Sequence, residues 1–155
     1  DGVGSWYIID RGTECGAAIA LSAPTSFGVT TTPQVLTVFD TVLASTALRC
    51  EANGNMLDVF SIQKDAGDFY DIRFSGSFQY SNNSNLNLQV YCDGVAVPTL
   101  AASTQGQGPS NNASLGMSQL LLLPSSCTLD LRIWGDTATN ALIEGLSFDA
   151  QRIGG

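Results

Sequence analysis

The sequence predicts an all-β protein made of two layers of antiparallel strands, and three observations support this prediction. Apolar and polar residues alternate along segment 56–94, which is typical of strands with one buried face. Clusters of Gly, Ser, Thr and Asn recur about every ten residues, which is the turn spacing of β sandwiches. No window combines apolar residues at helical spacing with a start and a stop signal.

A long strand is predicted over 69–80, because its apolar residues from Tyr70 to Tyr80 share one phase of the alternation. A second alternating strand, 86–92, follows the Asn-rich turn 82–85 and ends at Asp93 and Gly94, a favoured turn dipeptide. The remaining predicted strands are, in chain order, 6–9, 17–21, 35–42, 48–51, 57–63, 115–123, 127–134 and 141–153.

One flexible, exposed loop is predicted over 104–112, TQGQGPSNN, because it is rich in Gly, Ser, Asn and Gln. No linker or internal repeat divides the chain. We therefore assign 1–155 to a single domain, with short strands in 1–34.

The composition favours a subunit that packs against copies of itself. Of the 155 residues, 44% are hydrophobic and 13% are charged, whereas about 25% charged is usual in soluble domains. Few charges remain to solvate a free monomer, although a well-filled core is the alternative explanation. The final strand and strand 69–80 supply apolar area for three-fold assembly. The predicted interface comprises Phe74, Phe78, Ile143, Leu146 and Phe148.

The net charge of −8 excludes two classes of partner. An acidic surface repels phosphate backbones and anionic lipid, so no nucleic-acid partner is expected. No apolar run approaches the ~20 residues that cross a bilayer, so no membrane insertion is expected.

The chain contains no histidine, which excludes His-activated nucleophiles, His general bases and His metal ligands. No catalytic residue, metal site or cofactor is predicted. Asp65, Asp68 and Asp71 recur around one turn, as a glycosidase pair or a calcium site would need. Their side chains point in different directions at this spacing, so solvated acids are the favoured interpretation.

The four cysteines lack CxxC spacing, which argues against a structural zinc site. Buried thiols are the default expectation. Cys92 ends one predicted strand and Cys127 begins another. If those strands pair, a disulfide between the two cysteines is the alternative.

Six side chains are candidates for ligand binding. Trp134 lies on the polar phase of its strand, and its ring offers a stacking surface for a sugar; a rim or interface aromatic is the alternative. Tyr91 is its expected cross-strand neighbour. Exposed turns on a rigid scaffold often carry recognition, which adds Asn82, Asn83, Asn111 and Asn112.

Five segments, in order, resemble the tumour necrosis factor-like jelly roll. They are similar above all to complement-type heads and to the knobs of bacteriophage fibres, spikes and tail needles. Pro124, Ser125 and Ser126 replace the Gly-Asp turn common in that family, and Asp68 displaces an aromatic residue. The segments lie within 35–155 and read VLTVFDTV, ANGNMLDVFSIQKDAGDFYDIRF, LNLQVYCDGVAV, ASLGMSQLLLLPSSCTLDLRIW and IEGLSFDAQRIGG.

The resemblance implies a homotrimeric jelly roll over 35–153, at the C-terminal end of a longer chain, with its last strand along the trimer axis. The implied function is non-enzymatic attachment of a virion, from its surface, to a host-surface glycan or protein. One alternative is a capsid decoration or vertex protein whose partners are other virion proteins. Two others are a glycan-hydrolysing spike domain and a secreted complement-type binding head.

Overall fold

The computed structural model describes residues 16–45, 50–59, 68–123 and 125–154. These residues form twelve β-strands in two six-stranded sheets, and all the strand pairs are antiparallel. The strands are β1 (Gly16–Ala20), β2 (Thr25–Val29), β3 (Gln34–Val35), β4 (Thr41–Ser45), β5 (Cys50–Asn53), β6 (Met56–Val59), β7 (Asp68–Tyr80), β8 (Asn85–Cys92), β9 (Val95–Gln105), β10 (Gly108–Leu123), β11 (Cys127–Gly135) and β12 (Thr139–Gly154).

The two sheets stack face to face. The front sheet has the order β10-β7-β12-β1-β4, with β2 also paired to β12. The back sheet has the order β5-β6-β11-β8-β9, with β3 also paired to β11. In the front sheet, β1 and β2 lie end to end along the same side of β12. The architecture is the predicted two-layer antiparallel sandwich.

The core lies between the sheets and follows the alternation that the sequence shows. On β7, Tyr70, Ile72 and Phe78 have no exposed surface. On β11, Leu129 and Leu131 are equally inaccessible. Each such side chain contributes about 1.5–3 kcal/mol through burial, so the long central strands of each sheet supply most of the hydrophobic stabilisation.

The five side chains predicted at a trimer interface belong to this core. Phe78, Ile143 and Phe148 are fully buried, Phe74 is 2% exposed and Leu146 is 5% exposed. They face the back sheet of the same protomer and present almost no surface to another copy. Alternation groups Phe74 with Phe78 and Leu146 with Phe148, and the register shift between Ile143 and Gly145 brings Ile143 to the same side. Alternation carried no information on which layer that side meets. The intervening residues of the front sheet are the ones that face outward.

Segment 35–42 is not the single strand that alternation predicted, because it crosses from one sheet to the other. The N–H of Leu36 donates to Leu131 O in the back sheet, at 2.9 Å. Four residues later, the N–H of Asp40 donates to Ala20 O in the front sheet, at 3.2 Å. The fully buried Leu36 side chain lies in the core on the way, so apolar alternation persists without a continuous strand.

The crossing is held at its end by Asp40. Its carboxylate accepts hydrogen bonds from the N–H and the hydroxyl of Ser22, at 2.8 and 2.7 Å. Both bonds lower the pKa of Asp40, and the bond from the Ser22 hydroxyl has the larger effect.

The predicted loop over 104–112 is largely strand. β9 continues to Gln105 and β10 begins at Gly108, with a register shift between Gly108 and Ala113. The exposed residues 109–112 therefore belong to an irregular edge strand. No strand was predicted at β2 or at β9. The predicted strand 6–9 lies outside the described residues, as do parts of 48–51 and 57–63.

Candidate functional site

The outward face of the back sheet brings aromatic and amide side chains into two neighbouring rows. We call it the Trp134 face. One row runs across β11, β8 and β9 through Trp134, Asn87 and Ser103. The next row joins Arg132 and Gln89 to Ala101. On β11, Arg132 and Trp134 alternate with the buried Leu131 and Ile133. The residues of both rows therefore point away from the core.

A depression of about 180 Å³ lies on this face, lined by Asn87, Leu88, Gln89, Ala101, Ala102, Ser103 and Trp134. Ala101 and Ser103 of β9 have small side chains, which leave space on this face. Trp134 lines the depression from β11, and Asn87 and Gln89 of β8 lie between Trp134 and β9. The depression therefore combines one flat apolar surface with hydrogen-bonding groups.

The two amides are oriented by hydrogen bonds to backbone oxygens. Asn87 Nδ2 donates to Trp134 O at 3.4 Å, and Gln89 Nε2 donates to Val97 O at 3.1 Å. Within the described residues, neither side-chain oxygen accepts a hydrogen bond. An amide oxygen has two lone pairs, so each amide offers an acceptor to a ligand while its nitrogen is held in place.

Arg132 is the one cation that the described residues place on this face, and it already has two partners. Its Nε donates to Asp130 Oδ1 at 2.8 Å, and its Nη2 lies 3.3 Å from Asp130 Oδ2. Its guanidinium stacks 4.2 Å from the centre of the Tyr91 ring, within cation–π range. The bond to Asp130 raises the pKa of Arg132.

The structure separates the two predicted aromatic residues of the site. β8 and β11 do pair, as expected, and both residues share the outward face. Tyr91 lies opposite Asp130, however, whereas Trp134 lies opposite Asn87. Four residues of strand place them about 13 Å apart, with Arg132 between them. Trp134 lines the depression and Tyr91 does not.

The four predicted Asn residues gather at one end of the sandwich, which we call the Asn tip. Asn82 and Asn83 are exposed in the turn between β7 and β8, and the N–H of Asn83 donates to Gly106 O at 3.0 Å. Asn111 Nδ2 donates to Gln107 O at 3.2 Å, and Asn112 is exposed nearby on β10. These residues form a polar rim that is separate from the lining of the depression.

The Asn tip depends on a close backbone approach at Gly106. A Cβ at this position would lie 2.1 Å from Ser81 O, which no side chain can tolerate. The glycine lets the turn between β9 and β10 pack against the turn between β7 and β8. Trp134 lies near the same end of the sandwich, because the next residue, Gly135, pairs with Leu86 at the start of β8.

The sequence did not single out Asn87, Gln89, Ala101 or Ser103 as site residues. Asn87 and Gln89 stand on the polar phase of a predicted strand, and this was the available signal. Ala101 and Ser103 belong to β9, whose pairing with β8 places them on the floor of the depression.

Cys92 and Cys127 lie close together at the other end of the back sheet. Cys92 pairs with Leu129, two residues beyond Cys127 on β11. Both are thiols with no bond between the sulfurs, and they share a hydrogen bond. Burial raises the pKa of each thiol, so the expected proximity is present without the disulfide.

The outward face of the front sheet, which we call the front face, has three zones along its strands. The first is a shallow groove lined by Ser75, Ser77, Ser114 and Ser147, with Gly116 and Gly145 in its floor. The second is charged, with Arg73 Nε 3.3 Å from Asp149 Oδ1 and Arg73 Nη2 3.9 Å from Asp71 Oδ2. The third is apolar and consists of Phe69, Leu120, Leu122 and Ile153, which are 41–57% exposed.

Within the described residues, no three His, Cys, Asp or Glu side chains are placed to hold a metal ion. The same part of the chain contains no helix with the length and apolar character of a membrane span.

No protein-family model and no curated protein matches this chain. Solved structures do. PRD1 vertex protein P5 is similar with a TM-score of 0.59 and 12% identity, over 92% of this chain and 99% of that one. Eiger TNF from S. frugiperda is similar with a TM-score of 0.61 and 11% identity, over 88% and 90% of the two chains. The fold is therefore the tumour necrosis factor-like jelly roll that the sequence predicted.

Proposed function

We propose that this protein is the non-enzymatic, homotrimeric knob of a bacteriophage spike or fibre, exposed on the virion, that attaches to a glycan or protein on the host surface. The observation that carries the proposal is that one rigid sandwich presents two unlike outward faces. The front face supports assembly and the Trp134 face supports recognition.

The distribution of exposed apolar side chains supports assembly through the front sheet. Of the large hydrophobic residues that are exposed, only Val95 belongs to a strand of the back sheet within the described residues. Burying such side chains between three copies removes apolar surface from water. Those on strands of the front sheet are Val42, Leu43, Phe69, Met117, Leu120, Leu122 and Ile153.

The Trp134 face supports recognition because it stays outward when copies meet through the front sheet. Three equivalent depressions, each with one aromatic ring and two held amides, would engage a repetitive host surface together. Linked weak sites gain avidity without stronger individual contacts.

Two further observations support a virion component without enzymatic activity. One of the similar structures is named a vertex protein. The sequence has no histidine, and each outward face has an acid that is held in an ion pair, Asp130 with Arg132 and Asp149 with Arg73. The vertex likeness also favours a second candidate function, a structural vertex protein whose partners are other virion proteins.

The test is attachment of the purified, fluorescently labelled chain to a panel of bacterial cells. We expect saturable binding to at least one cell type. Trp134→Ala should weaken it at least tenfold, since the stacking surface is lost, and Trp134→Phe should retain part of it. Asn87→Ala should also weaken the binding. The matched control is Asn140→Ala, at an exposed position of β12 in the front sheet, and it should leave the binding unchanged. Absence of binding to every cell type, with capture of the chain by virion proteins, would overturn attachment in favour of the vertex function.

A further inference from the structure

We infer that the depression beside Trp134 binds an uncharged pyranose ring and rejects acidic sugars. This inference rests on the proposed attachment function and names the ligand class of that site. It depends on the shape of the depression, on its hydrogen-bonding groups and on the state of the neighbouring arginine.

The size of the depression fits one sugar ring. At about 180 Å³ it lies below the roughly 300–1,000 Å³ of sites that enclose drug-sized ligands. The small residues Ala101 and Ser103 line it from β9, and Trp134 lines it from β11. A ring that lies against the indole would occupy the space without moving the backbone.

The hydrogen-bonding groups match the hydroxyls of a pyranose. The side-chain oxygens of Asn87 and Gln89 accept hydrogen bonds, and Ser103 both donates and accepts. Because the amide nitrogens are held by Trp134 O and Val97 O, the acceptor positions are fixed before binding. A pyranose presents apolar C–H groups on one face and hydroxyls at its edge, so it would stack on the indole and donate to the amides.

The charges around the depression disfavour an acidic ligand. Arg132 donates twice to Asp130 and stacks on Tyr91, so its charge is already paired with a carboxylate. Asp136, in the turn after β11, adds a further acid near the Trp134 end, and the chain carries a net charge of −8. A sugar carboxylate or sulfate would meet a negative potential with no available cation among the described residues.

The experiment is ¹⁹F NMR on the full chain labelled with 5-fluorotryptophan. The sequence has two tryptophans, so two resonances are expected, and Trp134→Phe identifies the one from Trp134. The labelled chain is titrated with methyl glycosides of glucose, galactose, mannose and N-acetylglucosamine. Separate titrations at equal ionic strength use glucuronic acid and N-acetylneuraminic acid. We expect at least one neutral sugar to shift the Trp134 resonance and the acidic sugars to leave it unmoved.

Variants test the assigned groups. Gln89→Ala should weaken the neutral sugar at least fivefold by titration, whereas Asn140→Ala should leave it unchanged. Asp130→Asn removes the carboxylate that holds Arg132, and it should allow an acidic sugar to shift the Trp134 resonance.

The outcomes separate this inference from the proposed function. An acidic sugar that shifts the Trp134 resonance of the unmodified chain overturns the inference, as does the absence of any shift with every sugar. Neutral-sugar binding to Trp134→Ala, measured by calorimetry because this variant lacks the Trp134 resonance, overturns the location. In each of these cases attachment to cells still stands if the labelled chain binds them, and it fails only if no cell type is bound.

Discussion

The two sheets share one core but differ in what they turn outward. The front face carries a Ser-Gly groove, a charged zone around Arg73 and an apolar zone that includes Leu120. The Trp134 face carries aromatic and amide side chains and an arginine held by Asp130. Burial constrains only the inward phase of each strand. The outward phase is therefore free to differ between the sheets, as the two proposed uses, assembly and recognition, require.

The largest effect is expected from a charge placed in the apolar zone of the front face. Leu120→Asp should weaken trimer formation about a hundredfold or more, because a carboxylate would be buried between copies. Val95→Asp is the matched control on the back sheet, where Val95 is 69% exposed and Leu120 is 53% exposed. Analytical ultracentrifugation at micromolar concentration measures the assembly. A wild-type monomer, or an intact trimer in Leu120→Asp, would contradict the assignment of the front face.

Two acid–arginine pairs, one on an inward and one on an outward phase, allow their contributions to stability to be compared. Arg152 bonds Asp68, which has no exposed surface, at 3.0 Å. Arg132 bonds Asp130 on the outward face at 2.8 Å, and the side chains of Arg132 and Asp130 are 24% and 7% exposed. Arg152→Leu should cost about 3 kcal/mol in unfolding free energy, since it removes a partner from a buried carboxylate. Arg132→Leu should cost about 1–2 kcal/mol.

Urea denaturation at equal protein concentration measures both variants, because the stability of an oligomer depends on concentration. A larger loss in Arg132→Leu than in Arg152→Leu would show that the outward pair is the more important one for stability.

A smaller effect is expected from a matched pair of glycines. A Cβ at Gly135 would lie 2.2 Å from Tyr80 Oη and 3.0 Å from Asn85 O, whereas a Cβ at Gly145 would have no atom within 4 Å. Gly135→Ala should therefore cost about 1–3 kcal/mol through overpacking. Gly145→Ala should be within about 0.5 kcal/mol of the wild type. Thermal unfolding followed by circular dichroism distinguishes them, and equal stabilities would contradict the tight contact between the sheets at this end.

The smallest effect concerns Cys92 and Cys127 of the back sheet. Burial raises the pKa of both thiols, so the thiolate that attacks oxidised glutathione is scarce at pH 7. Attack by Cys92 releases one glutathione thiolate, and attack by Cys127 on the mixed disulfide releases a second. We expect the rate to rise about tenfold per pH unit between pH 7 and 9, since both pKa values lie above the neutral range.

Peptide mapping by mass spectrometry after alkylation measures this reaction, with Cys92→Ser as the control. Rapid closure at pH 7 would contradict the raised pKa values. Pairing of either cysteine with a different partner would contradict their proximity.

Much of the fold was predictable because burial imposes alternation directly on the sequence. Strand 69–80, strand 86–92 and strand 127–134 correspond closely to β7, β8 and β11. The segment 35–42 shows the limit of this signal. Leu36 is buried while the chain crosses between sheets, and apolar spacing alone does not distinguish a crossing from a strand.

The candidate site was predictable only in part. Alternation placed Trp134 and Tyr91 on an outward phase, and the structure agrees. It could not supply the register of β11 against β8, which puts Asn87 rather than Tyr91 beside Trp134. The floor residues Ala101 and Ser103 carry no chemical signal of their own, because their role depends on which strand lies next to β9.

The sequence by itself determined the class of fold, the inward phase of the long strands and the absence of histidine chemistry. These are properties of single residues and of spacing along one strand. Only the tertiary structure decided that Phe74, Phe78, Ile143, Leu146 and Phe148 fill the core, and that Trp134, Asn87 and Ser103 share a row. Such facts depend on register and layering between strands distant in sequence, and period-2 alternation specifies neither.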